Sequence, residues 1–302
     1  MKKILHHLKD YFTAVDKWIL VLSAVFTSAA IFINYNYGIN EIINRFSSEQ
    51  QYLCWYFIFL IAFLFPYLLA AVSGNVNLFN NWRFVALLII APAIFAWKMS
   101  FNINFHFSPN EIKNAYWNQV FYWPFKLLAI TAVLFLLWKI FDKDEAFYGL
   151  TTKNLQIRPY ILMLLIMIPL VAAASVQSDF LEMYPKFQKD TFLTNQDNGL
   201  YKLLYELSYG SDFFSIELFF RGFLVLAFAK WAGKDAILPM AVFYCTIHFG
   251  KPLGECISSF FGGIILGVIV YQTRTIWGGL LVHLGIAWMM EWAGYLASTA
   301  SP

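Results

Sequence analysis

Nine stretches of this chain run with hardly a charge, over residues 18–35, 52–72, 84–100, 119–138, 160–177, 211–230, 236–249, 257–273 and 276–298. The hydrocarbon core of a bilayer takes about 20 mostly apolar residues of helix. The runs therefore predict an all-α fold, a polytopic membrane helix bundle of about nine transmembrane helices, or eight if the short run 236–249 does not cross. Charged residues make up 13% of the chain, where a soluble domain carries about a quarter. Aromatic residues crowd the ends of the runs, as at Trp55, Trp97, Trp117 and Trp123, where interfacial belts form. The bilayer is thus the first expected partner. A net charge of +3 gives no reason to expect nucleic acid. Cys54, Cys245 and Cys256 lie in or beside apolar runs and form neither a disulfide framework nor a metal-binding spacing.

Orientation follows from the basic residues between runs. With the N-terminus inside, twelve Lys and Arg fall in inner segments and seven in outer ones, leaving Lys126 and Arg221 within spans. This predicts an integral plasma (inner) membrane protein with a cytoplasmic N-terminus and an extracytoplasmic C-terminus. The basic stretch 1–17 leads into the first run without a small-residue cleavage site, which reads as an uncleaved signal-anchor. The charged segment 139–158 divides the sequence into a four-helix membrane region, 1–148, and a five-helix part, 149–302. In the first part Lys126 is expected to snorkel from near a helix end. In the second, residues 178–210, with Pro185, Asn195 and Asp197, are too polar to span and read as a helical or re-entrant outer cap. Gly262, Gly263, Gly267, Gly278, Gly279 and Gly285 predict close helix packing.

The chemistry concentrates after residue 210. Ser215-Ile216-Glu217-Leu218-Phe219-Phe220-Arg221-Gly222 holds a glutamate and an arginine four residues apart in an apolar run. On an α-helix both side chains share a face. Charges are costly in hydrocarbon, so such a pair marks a site or pins one helix to its neighbours. Two histidines fall in later spans, His248 and His283. Together with Glu217 they could position water, a metal ion or a peptide carbonyl.

This order and spacing resembles the CAAX prenyl protease and bacteriocin-processing superfamily of intramembrane peptidases, also called CPBP or Abi. Its marks are Glu-Glu-x-x-x-Arg, then Phe-x-x-x-His, then His-x-x-x-Asn. The resemblance covers roughly residues 149–297, including the Gly149-Leu150 lead-in and Phe220-Arg221-Gly222. It implies a CPBP/Abi-like core over 149–302, with Glu217, His248 and His283 as the catalytic set and Arg221 in support. Two family positions depart from the pattern. Ile216 stands where the water-activating Glu would be, and Ala287 where the Asn would be; Tyr244 replaces the Phe. Asp212, one turn before Ile216, is the nearest substitute base. Members are described both as metalloproteases and as glutamate-dependent, but two histidines and one arginine-paired Glu are a thin zinc set. Neither a metal nor another cofactor is expected. The resemblance leaves three functions open: a pseudoprotease that binds a peptide or partner protein in the membrane, a working endopeptidase using Glu217, His248 and His283, or a bis-histidine haem protein or ion carrier.

Overall fold

The computed structural model describes residues 2–74, 78–153, 155–194 and 199–300, so Asn195 and Asp197 lie outside it. The described chain is an all-α polytopic bundle without a strand. Among the described residues seven helices are long and apolar enough to cross a membrane: Lys17–Tyr37, Ser48–Val72, Trp82–Ser100, Glu111–Phe141, Ile157–Ala174, Leu253–Thr273 and Trp277–Ser298. The other two apolar runs take different forms. Run 211–230 divides between an α-helix, Gly199–Glu217, and a π-helix next along the chain, Leu218–Ala227. Run 236–249 contains a short helix, Ile237–Thr246, whose ten residues are all buried.

Local chemistry sets several of the boundaries. The Asp16 carboxylate accepts from the N–H groups of Trp18 and Ile19, starting the Lys17–Tyr37 helix, which stops at Gly38 with φ 61°. Asn81 caps Trp82–Ser100 in the same way through Arg83 and Phe84. Large apolar side chains remain exposed on the crossing helices, among them Val72 at 88% and Ile140 at 69%. Such a surface is costly in water and suits lipid.

The residues form two compact units, each drawing on both sides of residue 148. The first comprises 1–101, 134–155 and 218–276. Its core is aromatic and centres on Phe243, whose ring lies 4.8 Å from Phe59, 5.2 Å from Phe220 and 6.0 Å from Phe219. The short Ile237–Thr246 helix lies closely against Leu253–Thr273, with glycines of the longer helix at the contact. A Cβ at Gly267 would stand 2.7 Å from Met240, and one at Gly263 would stand 3.2 Å from Ala241. Gly262 does not share in this packing, since a Cβ there would meet nothing within 4 Å.

The second unit comprises 102–133, 156–217 and 277–302. Trp123 packs its ring 5.3 Å from both Tyr205 and Tyr209. The Tyr116 hydroxyl donates to the Tyr201 carbonyl at 2.8 Å, and that of Ser208 to the Val120 carbonyl. Two expectations change here. Lys126 does not snorkel: it is 1% exposed, donates to the Tyr122 hydroxyl and lies over the Tyr122 ring. A tyrosine one turn earlier on the same helix supplies both an acceptor and a π-face, which a lysine in hydrocarbon otherwise lacks. The segment 178–210 is not one cap. Its described part breaks into Ser178–Met183, Lys186–Lys189 and Thr191–Thr194, and from Gly199 it already belongs to the long helix that ends at Glu217.

Candidate active site

In the second unit Glu217 is fully buried at the last residue of its helix. Its Oε1 lies 3.0 Å from Nδ1 of His283. A carboxylate only accepts, so Nδ1–H donates and the lone pair of the neutral imidazole stays on Nε2. The edge of Phe213 meets the His283 ring at a centroid distance of 4.7 Å, which helps fix its plane. The helix bearing Glu217 starts at Gly199, twelve residues before the apolar run expected from residue 211.

The two departures from the family pattern lie in the same unit. Ile216 and Ala287 both belong to an apolar cluster built on Tyr116, Trp123, Tyr205, Tyr209 and Phe213. Two small or aliphatic side chains thus occupy the places of a carboxylate and an amide, with aromatic rings packed around them. Asp212, the substitute base, accepts from the Ser215 hydroxyl through its carbonyl at 2.7 Å and its carboxylate at 3.2 Å.

In the first unit Arg221, also fully buried, lies with its guanidinium carbon 3.9 Å above the Tyr244 ring. A desolvated guanidinium over an aromatic face is stabilised by the ring quadrupole. Tyr244 also accepts, through its carbonyl, from Nδ1 of His248 at 2.9 Å, and the two rings meet edge to face at 4.7 Å. As with His283, this bond leaves the lone pair on Nε2. His248 sits just past the end of its helix, in the turn after Thr246. That turn is held from the Lys17–Tyr37 helix, where Asn34 donates to the Phe249 carbonyl at 2.9 Å and Tyr35 to that of Lys251 at 2.5 Å.

The structure therefore joins Glu217 to His283, Arg221 to the Tyr244 ring, and Tyr244 to His248. The unit boundary falls between Glu217 and Leu218. Arg221 belongs to the π-helix, whose wider turn departs from the four-residue register the sequence suggests. Among the described residues no three His, Cys, Asp or Glu side chains come together as a metal site would require.

Sequence reasoning missed one carboxylate. Glu206 lies in the second unit ahead of the apolar run, and neither of its oxygens has a hydrogen-bond partner among the described residues. Burial, and then the nearby Glu291, push its carboxyl up to about 8, with Lys186 opposing. A lone Glu in the string Tyr205-Glu206-Leu207-Ser208-Tyr209 was the available signal.

Residues 212–289 match the family model described as Type II CAAX prenyl endopeptidase Rce1-like. Over this stretch the chain is similar to the Rce1-like CAAX proteases, and its apolar helices are those of a membrane protein. The matched stretch contains the motif positions Ile216, Glu217, Arg221, Tyr244, His248, His283 and Ala287, while the Gly149-Leu150 lead-in lies outside it. No curated protein and no solved structure matches the chain.

Proposed function

We propose that this Rce1-like protein is a pseudoprotease, which holds a peptide or a partner membrane protein within the bilayer without cutting it. Residues 149–302 form the CPBP-like core in this reading, and 1–148 the region added to it. Hydrolysis of a peptide bond needs a base to take a proton from water and donors to steady the oxyanion. The observation that carries the reading is the packing of Ile216 and Ala287 into one aromatic cluster. Apolar contacts fill the two family positions that would hold polar groups. The expected result is no peptidase turnover by purified protein above a His248→Ala, His283→Ala control. The double change Ile216→Glu with Ala287→Asn should then restore cleavage. Robust histidine-dependent cleavage by the unmodified chain overturns the proposal.

One observation favours the alternative of an active endopeptidase. The Glu217–His283 bond sets the tautomer that makes Nε2 of His283 a general base, as a carboxylate does for histidine in other hydrolytic sites. In that case Glu217 orients, His283 takes the proton, and His248 is the second imidazole. Cleavage that is lost with His283→Ala and weakened with Glu217→Gln distinguishes this reading from the first.

We place the N-terminus in the cytoplasm and the segment around Asn195 outside, on the basic-residue asymmetry. A cysteine at Asn195 should react with a membrane-impermeant reagent in intact cells. Reaction only with reagents that enter the cytoplasm reverses the orientation.

A further inference from the structure

Two of the three cysteines face each other across the turn that carries His248. Cys245 lies in the Ile237–Thr246 helix and Cys256 in the first turns of Leu253–Thr273. Their sulfurs are 4.0 Å apart. Each sulfur also faces the other residue's carbonyl oxygen, Cys245 Sγ at 3.4 Å and Cys256 Sγ at 3.8 Å. This reciprocal arrangement requires the two backbones to be neighbours, as a disulfide demands. Closing the sulfurs to the bond length of about 2 Å is within reach of side-chain rotation. Both residues are 0% exposed, so bulky disulfides and charged oxidants cannot reach them. A small neutral oxidant such as hydrogen peroxide is the class suited to so buried a pair.

We propose that Cys245 and Cys256 are a modification site, a buried dithiol that hydrogen peroxide converts to a disulfide across the His248 turn. One thiol attacks the peroxide O–O bond, becomes a sulfenic acid and releases the first water. The second thiol attacks that sulfur, the S–S bond forms, and the hydroxyl leaves with the second thiol's proton as another water. Two thiols and one peroxide thus give one disulfide and two waters. The bond closes residues 246–255 into a covalent loop that already has contacts from Asn34 and Tyr35. Small dithiol reductants reverse it. Cys54, half-buried in Ser48–Val72, lies outside the pair and serves as an internal reference.

The test uses the full chain in detergent, treated with hydrogen peroxide, then denatured, alkylated, digested and analysed by mass spectrometry. The expected result is joint loss of the alkylated Cys245 and Cys256 peptides and gain of one intramolecular cross-linked pair. Dithiothreitol should restore both alkylated peptides. No substitution at either cysteine is needed, so a folding defect cannot obscure the readout. Either of two results overturns the proposal. One is that both peptides stay alkylatable while added glutathione in the same tube is consumed. The other is that the cross-link runs to Cys54 or to a second chain.

Discussion

Replacing His283 by leucine leaves the Glu217 carboxylate, 0% exposed, without the donor 3.0 Å away. Leaving a buried charged acceptor without its donor costs more than the about 1–3 kcal/mol of a neutral group. The reverse change, Glu217→Leu, leaves a neutral imidazole whose side chain is 14% exposed. Its unmet N–H is the lesser penalty, about 1–3 kcal/mol. Leucine fills much of the volume in both cases and keeps the Phe213 contact, so packing loss is a minor part. The double change removes both groups together and should recover about 1.5–3 kcal/mol of the summed cost, the worth of a hydrogen bond to a charged group. Reversible unfolding by SDS in mixed micelles measures all four corners of the cycle. The reasoning fails if the two substitutions add to within about 0.5 kcal/mol, the behaviour of independent sites. It also fails if Glu217→Leu proves the more damaging single change.

Gly278→Ala should lower the melting temperature sharply, because the new Cβ would stand 2.0 Å from the Tyr160 ring, and overpacking of a tight contact costs about 1–3 kcal/mol. Gly262→Ala, into open space, should leave stability unchanged or slightly raised in the same melting assay. For Glu206 the folded carboxyl titrates at about 8 against an ordinary 4.5. The folded state therefore holds a proton that the unfolded state has released between those values, and stability should fall as pH rises through that window and level off above it. Glu206→Gln should flatten this dependence; an unchanged slope in the variant assigns the effect to other groups.

Hydropathy alone made the crossing helices legible, because a lipid-facing helix needs no particular partner to show its length. It could not reveal the π-helix. Nine of the ten residues in Leu218–Ala227 are buried, and a segment apolar on every side carries no phase from which to read residues per turn. Lys126 was read as an interfacial residue because nothing in its own run distinguishes a tyrosine that shields a charge from one that anchors at the membrane surface. Apart from Glu206 the site residues were legible as unusual, yet their pairing was not. Glu217 and His283 are 66 positions apart, and only tertiary packing decides that the carboxylate meets this histidine. Ile216 and Ala287 were recognised as departures. That both belong to a single aromatic cluster with Tyr116 and Trp123 depends on a helix outside the resemblance.

The brevity of the Ile237–Thr246 helix bears on how this protein is made. Ten residues rise about 15 Å, half of a hydrocarbon core about 30 Å thick. Each end of such a helix exposes backbone groups that lipid cannot satisfy. The segment is thus a poor candidate for independent insertion during synthesis. It can settle only as a hairpin with Leu253–Thr273, whose Gly263 and Gly267 accept it, and beside Phe59 and Phe95, which are synthesised long before it. His248 comes to rest with that hairpin. A ribosome paused before residue 273 holds a chain in which this imidazole has not yet found its place.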